Sequence, residues 1–277
     1  MGNLLHKAAS PEVLNRAWKK LRNDSAVWAN SISRREMEKN LIQHILLLSQ
    51  ELADGTYMPS PIRMFPVLKG NGKKRIISAL TLRDKLAQRA VLTILTPIGE
   101  KVFHHDSFGY RPKRSIDMVM ARVREHIICD YHWIVDADIK SFFDNIPHKK
   151  LTTKLKKVIS DKELLKLISK WLDVGTPRTG ILSKRKGIPQ GGVISPFLCN
   201  IYLTDFDNYL TSHNLPFVRF ADDFMVFTPS RKAAESAMEC VKKGLKKLEL
   251  ELNINKTRIV QSSPKIIFLG RKLPRIK

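Results

Sequence analysis

The chain has 277 residues, 43% hydrophobic and 27% charged, with 49 Lys and Arg against 26 Asp and Glu for a net charge of +23. This is the composition of a globular chain with a sizeable core, and it excludes a disordered polymer. The charge opposes folding by self-repulsion and predicts a polyanionic partner, nucleic acid ahead of an anionic membrane surface.

The N-terminus, MGNLLHKAAS, has no signal-peptide apolar region and lacks the Ser or Thr that myristoylation needs at position six. Residues 36–53 read as one helix with Leu41, Ile42, Ile45, Leu46 and Leu52 on one side, ended by Asp54-Gly55. Residues 64–68 and 75–80 read as strands joined through Lys69-Gly70-Asn71-Gly72, because Asn-Gly between apolar runs signals a hairpin. Lys69, Lys73, Lys74 and Arg75 ring that hairpin, either as a solvated turn or as a phosphate contact. Thr81-Leu82-Arg83-Asp84 has the form of a capping box. The helix it starts would bury Leu86, Ala90, Val91, Ile94 and Leu95, with Pro97 helping to end it.

Residues 133–139 alternate as a strand, 151–172 are helical, and 217–227 hold two apolar strand-like pieces around Ala221-Asp222-Asp223. Residues 231–252 read as a helix with Ala234, Met238, Val241, Leu245, Leu248 and Leu252 as its core stripe. Lys242, Lys243, Lys246 and Lys247 lie off that face. No apolar run reaches the length of a membrane span. Cys129, Cys199 and Cys240 form neither a disulfide framework nor a zinc site, and the histidines show no ligand spacing, so His104 and His105 read as surface or packing residues. A cytoplasmic, reducing compartment and no membrane partner are expected. The order of elements is α+β, without a linker or internal repeat, which predicts one continuous body with subdomains.

Adjacent carboxylates between apolar strands are costly unless positive charge offsets them. Asp222-Asp223 is such a pair, and Asp136-Ala137-Asp138-Ile139 is a second acidic strand end. Three hard oxygen donors from neighbouring strand ends suit a pair of Mg²⁺ ions, which can activate a 3′-hydroxyl and stabilise a leaving pyrophosphate. Taken alone, the Asp-Asp pair reads as a plain hairpin turn, and the second acidic strand end in a basic chain puts the metal reading level with it.

Read together, several blocks resemble the reverse transcriptases of the bacterial group II intron and retron type. Asp138-Ile-Lys-Ser-Phe-Phe143-Asp144 resembles the first catalytic block, Gly187-Ile-Pro-Gln-Gly-Gly-Val-Ile-Ser-Pro196 the Pro-Gln-Gly block, and Phe220-Ala-Asp-Asp223 the Tyr-Ala-Asp-Asp box. Leu252-Asn-Ile-Asn-Lys256-Thr resembles the block with a lysine near the incoming nucleotide, and Phe268-Leu-Gly270 the primer grip. Ser107-Phe-Gly-Tyr-Arg-Pro-Lys-Arg-Ser115 is similar to a stretch of the group II intron lineage, and Gly72-Lys-Lys-Arg-Ile with Arg83-Asp84 and Gln88 to its fingers. The blocks run in the family's order from about Asn15 to Gly270.

The resemblance implies a right-hand polymerase fold, α+β, with an antiparallel palm sheet backed by helices. N-terminal helices and fingers would occupy 1–132, with the hairpin at about 64–80. The palm would occupy 133–277, with a helical fingers insertion at about 150–186. It implies RNA-templated addition of deoxynucleotides with two Mg²⁺ ions, Mn²⁺ being a possible substitute, on an RNA template and a DNA or RNA primer. Asp138, Asp222 and Asp223 would be the metal carboxylates, with the Ile139 carbonyl as an added ligand and Asp136 as the rival of Asp138. Phe143 would lie under the nucleotide sugar and exclude a 2′-hydroxyl, unless it is a core aromatic, the role that suits Phe142 better. Arg75 would clamp the triphosphate with Lys69 or Lys73, Gln190 would contact the nucleotide, and Gly191-Gly192 would let backbone approach. Lys256 would donate a proton to pyrophosphate or supply charge alone. Phe268, Leu269 and Gly270 would form the primer grip.

Three departures stand out. Phe220 replaces the usual Tyr, the N-terminal Gly-Val-Asp-Gly stretch is replaced by residues 25–33, and only seven residues follow Gly270. A thumb is therefore not expected within the chain; either the chain is a fragment, or a protein or structured-RNA partner would supply the thumb. The alternative function is an RNA-binding scaffold with little activity, inside a larger ribonucleoprotein or a CRISPR or defence complex.

Overall fold

The computed structural model describes residues 3–21, 32–68, 74–175 and 185–274, except the side chains of Lys74 and Arg75. The first half of the chain forms α1 (Leu4–Ala9), α2 (Pro11–Leu21), α3 (Arg34–Lys39), α4 (Leu41–Ala53), β1 (Arg63–Leu68), β2 (Lys74–Ala79), α5 (Leu82–Glu100) and α6 (Ile116–Ile128). Next come β3 (Trp133–Asp138), α7 (Phe142–Asn145), α8 (His148–Val158), α9 (Lys162–Val174) and α10 (Ser195–Ser212). The last elements are β4 (Phe217–Phe220), β5 (Asp223–Thr228), α11 (Arg231–Lys247), β6 (Arg258–Gln261), β7 (Ile267–Phe268) and β8 (Arg271–Lys272). They fall into two compact units, Met1–Lys101 with Ile146–Leu198, and Val102–Asn145 with Cys199–Lys277.

In the first unit α1, α2 and α4 pack against one another, and α1 and α2 also pack against α5. Asp84, buried at the start of α5, gathers the loop before it. Its carboxylate accepts from the Tyr57 hydroxyl at 2.5 Å, the Thr81 hydroxyl at 2.7 Å and the Ser60 N–H at 3.1 Å. The Thr81 side chain caps the helix by accepting from the Asp84 N–H, as the sequence predicts. Trp171 on α9 donates to the Tyr57 oxygen at 3.3 Å, and Asp161 caps α9 while accepting the Leu5 N–H at 2.9 Å. β1 and β2 pair antiparallel, from Arg63 opposite Ala79 to Leu68 opposite Lys74.

The second unit is built on an antiparallel sheet in the order β4-β5-β3-β6. The alternation in β3 buries both of its faces. Ile134 joins Met225, Phe227 and Val218 in the core under α6, while Val135 is buried on the opposite face. Phe224, also on that opposite face, meets Phe206 of α10 edge to face, and α11 packs against β3, β5 and β6. This is the α+β class that the order of elements predicts, with the antiparallel, helix-backed sheet that the resemblance implies. Among the described residues no helix is long and apolar enough to cross a membrane.

Five sequence expectations change. Residues 36–53 form two helices, because Ser33 and Glu36 make a full capping box for α3 and the chain restarts at Asn40. In α4 the buried face is Ile45, Leu48 and Leu52; Ile42 and Leu46 are turned away by about 100° per residue and stand 74% and 53% exposed. Residues 151–172 are likewise two helices, parted where Asp161 offers a better cap than a continued turn. Pro97 does not end α5, which runs to Glu100. Residue 252 is not helical. α11 stops at Lys247, Glu249 takes φ +55°, and Leu252 bridges to Ile139 instead.

Candidate active site

Strand register brings the acidic residues together. Asp138 ends β3 directly opposite Asp223, the first residue of β5. Because Phe220 pairs with Asp223, Ala221 and Asp222 form a two-residue hairpin loop. Such loops demand positive φ, and Ala221 takes φ +61°. Asp138 is buried, and Asp222 and Asp223 are half-buried.

The segment after α11 is stitched to the end of β3. Lys140 N–H donates to the Glu251 carbonyl at 2.9 Å, and Asn253 N–H to the Asp138 carbonyl at 2.8 Å. The Asp138 carboxylate accepts from Lys256 Nζ at 2.9 Å and from Asn253 Nδ2 at 2.8 Å. Asn253 is a partner that the sequence reading missed, although it lies inside the quoted Lys256 block. A polar residue three positions before a lysine gives no signal until the turn between them is known.

Burial, the Asp222 and Asp138 charges, and a hydrogen bond shared with Asp138 push the Asp223 carboxyl up to about 7, against the pull of Lys256. Burial opposes the charge on Lys256, but its bond to Asp138 and the neighbouring carboxylates raise its pKa overall. Asp136, the rival within β3, is engaged elsewhere. Arg258, its register partner on β6, pairs with it at 2.9 Å. Burial raises the Asp136 pKa while Arg258 opposes that rise.

Ile139 is buried beside Leu252. Phe143 begins its exposure where Phe142 ends: Phe142 is buried, Phe143 is half-buried, and the rings meet edge to face at 5.7 Å. Phe268 is buried in the core under α6, and Leu269-Gly270 turn β7 into β8 with φ +51° and +77°. Phe220 keeps an aromatic contact, its ring 6.2 Å from that of Tyr110.

In the first unit, half-buried Gln190 accepts the Ser78 N–H on its carbonyl at 2.6 Å. A Cβ at Gly191, which has φ +112°, would stand 2.5 Å from the Ser78 oxygen, so the expected close backbone approach is met there by β2. Arg75 lies on β2 opposite Val67. Its side chain, like Lys69 and Lys73 as a whole, lies outside the described residues.

One cluster escaped the spacing argument. His104, His105 and Asp106 hold potential ligand atoms within 4.8 Å of one another. All are already engaged. Asp106 pairs with Arg122 at 2.7 Å and with His105 at 2.8 Å, and His104 packs on Phe217 while bonding the Asp106 N–H and the Thr211 hydroxyl. Their packing role agrees with the sequence expectation.

The reverse transcriptase (RNA-dependent DNA polymerase) family matches residues 67–273, a span that holds every block quoted above from Gly72 to Gly270. The chain belongs to this family. As a reverse transcriptase it is a nucleotidyltransferase by family, with relatives of the group II intron type. It is 31% identical over 286 residues to Protein YkfC of Escherichia coli (strain K12), covering 89% of this chain and 75% of that protein. It is 36% identical over 211 residues to the group II intron-encoded protein LtrA of Lactococcus lactis subsp. cremoris, covering 76% of this chain and 35% of LtrA. Among solved structures, a chain of a partial Cas6-RT-Cas1–Cas2 complex matches this reverse transcriptase with a TM-score of 0.52 at 26% identity, over 90% of this chain and 42% of that one.

Proposed function

We propose that this reverse transcriptase extends a primer 3′-end with deoxynucleotides on an RNA template, using Asp138, Asp222 and Asp223. The observation that carries the reading is the register of Asp138 against Asp223 with Asp222 in the adjoining turn. Three carboxylates meet there in a chain of net charge +23, and burial together with their mutual repulsion holds Asp223 protonated up to about pH 7. A hard divalent cation fits this donor set, because it would relieve that repulsion through oxygen ligands. Two Mg²⁺ ions, when bound, would activate the 3′-hydroxyl and neutralise the departing pyrophosphate.

The chain's own residues supply the rest. Asn253 and Lys256 hold the Asp138 carboxylate, and the exposed Lys256 side chain would offer its ammonium to a pyrophosphate oxygen. The exposed part of Phe143 would meet the nucleotide sugar. Arg75, with Lys69 or Lys73, would bind the triphosphate, and Gln190 the nucleotide. The tight Leu269-Gly270 turn would seat the primer end, and the Ile139 carbonyl would add a ligand. In this reading the β1–β2 hairpin with α8 and α9 forms the fingers, and the four-stranded sheet forms the palm. The likeness to the Cas6-RT-Cas1–Cas2 chain supports work inside a larger assembly with protein partners.

A labelled primer annealed to RNA tests the reading. Extension with the four dNTPs and Mg²⁺, abolished by EDTA, is the expected result. RNA binding without extension at any metal concentration would favour the scaffold alternative.

The carboxylate cluster also predicts a pH effect in EDTA. The folded Asp223 carboxyl sits at about 7 against an ordinary value of 3.8, so folding favours its protonated form. That contribution is full below about pH 4 and lost as pH rises through 7. The melting temperature of Asp223→Asn should therefore gain on that of the wild type as pH rises from 4 to 8. Parallel curves across that range would contradict the burial and repulsion assigned to Asp223.

A further inference from the structure

A guanidinium without solvent is costly unless every N–H finds an acceptor. Arg219, on β4 before the acidic loop, is 0% exposed and heads the fully buried side chains by size. Its Nε and Nη2 donate to the two oxygens of Asp207 on α10 at 2.7 and 2.6 Å. Nη2 also donates to Ser107 Oγ at 2.8 Å, and Nη1 to Asn200 Oδ1 at 3.1 Å. The fifth bond runs from Nη1 to the carbonyl of Ala221 at 3.0 Å. These five bonds use the full donor capacity of the group.

The last bond is the informative one. The Asp207 pair alone would neutralise the charge, yet the fork also grips the left-handed residue that precedes Asp222. Alanine at φ +61° is disfavoured, so the loop needs holding. The Ser107–Gly109 stretch closes the other side. Phe108 N–H donates to the Arg219 carbonyl at 2.8 Å, and a Cβ at Gly109 would stand 2.5 Å from the Ala221 nitrogen. Rotation of the peptide after Ala221 would swing Asp222 relative to Asp138.

We propose that Arg219, anchored by Asp207, is a positioning residue that clamps the Ala221 carbonyl and thereby sets the Asp222-Asp223 carboxylates for metal binding. The inference rests on the metal-dependent reading of those carboxylates. A lysine could keep Asp207 company, but its single ammonium lacks the planar fork that also spans to Ala221.

The test uses the full chain with Mn²⁺ alone, its binding read by electron paramagnetic resonance, with Asp222→Asn as the control for site occupancy. Primer extension and melting temperature are followed in parallel. Arg219→Lys should melt cooperatively, bind Mn²⁺ roughly tenfold or more weakly, and lose kcat with the dNTP KM unchanged. Adding Ala221→Gly should restore Mn²⁺ affinity by roughly tenfold, since glycine enters the left-handed region without the alanine penalty. Should Arg219→Lys not fold, Arg219→Met with Asp207→Leu replaces the buried pair by apolar groups of similar volume, an exchange that folds well elsewhere. That variant should also lose Mn²⁺ affinity and regain it with Ala221→Gly. Wild-type Mn²⁺ affinity in a folded Arg219 variant, or no recovery with Ala221→Gly, would overturn the proposal. If the wild type binds Mn²⁺ at the carboxylates yet never extends a primer, the polymerase reading falls, while the Mn²⁺ series still decides the role of Arg219.

Discussion

Asp222→Asn is expected to lower primer extension by roughly a thousandfold or more, because groups that act as one unit lose their joint effect when one is removed. The exchange keeps the shape of the Ala221-Asp222 loop and removes one of three converging charges. RNA affinity should hold or rise, since a chain of net charge +23 loses a negative charge. Extension and RNA binding measured on the same preparation separate the two effects. Equal extension by variant and wild type would remove Asp222 from the chemistry and leave the acidic loop as an ordinary turn.

The second large effect concerns the sugar. Phe143→Ala should raise ribonucleotide use relative to deoxynucleotide by roughly tenfold to hundredfold, the range over which pocket shape alone discriminates small groups. The side chain suits this role because Phe142 already fills the core beside it, leaving Phe143 half-buried five residues after Asp138. Truncation should therefore change selectivity more than folding. Competition between matched rGTP and dGTP opposite a template cytosine measures it. Unchanged selectivity with intact deoxynucleotide synthesis would return Phe143 to a packing role.

The strand ends were legible because alternation and turn chemistry are local. Residues 133–139 and 217–227 predict β3, β4 and β5 within a residue or two, with a break at Ala221-Asp222-Asp223 that the register narrows to Ala221-Asp222 by placing Asp223 in β5. Asp138 could be chosen over Asp136 only through motif spacing; the physical reason, the Arg258 partner of Asp136, lies on a strand more than a hundred residues away. Helix ends were less legible. Apolar periodicity runs through Asn40 and through Ser160-Asp161, and caps decide the breaks there. The Leu252 stripe failed for a related reason. A leucine at the right spacing can serve a helix or a strand bridge, and the left-handed Glu249 hands it to Ile139.

The support of the site was the least legible part. Asn253 and Arg219 carry no unusual local pattern, and an arginine in a basic chain suggests solvent or phosphate before it suggests a core. Only the fold brings Asp207, Asn200 and Ser107 around Arg219 and satisfies it without water. Sequence thus points to the clustered carboxylates more readily than to the groups that hold them.

The most direct measurement of the central claim is single-nucleotide incorporation on a primed RNA whose first unpaired base is varied through all four identities. The wild-type chain with Mg²⁺ should add the complementary deoxynucleotide in each case, and Asp222→Asn should add none. Incorporation that ignores the template base, or equal incorporation by the variant, would contradict the assignment of RNA-directed DNA synthesis to Asp138, Asp222 and Asp223.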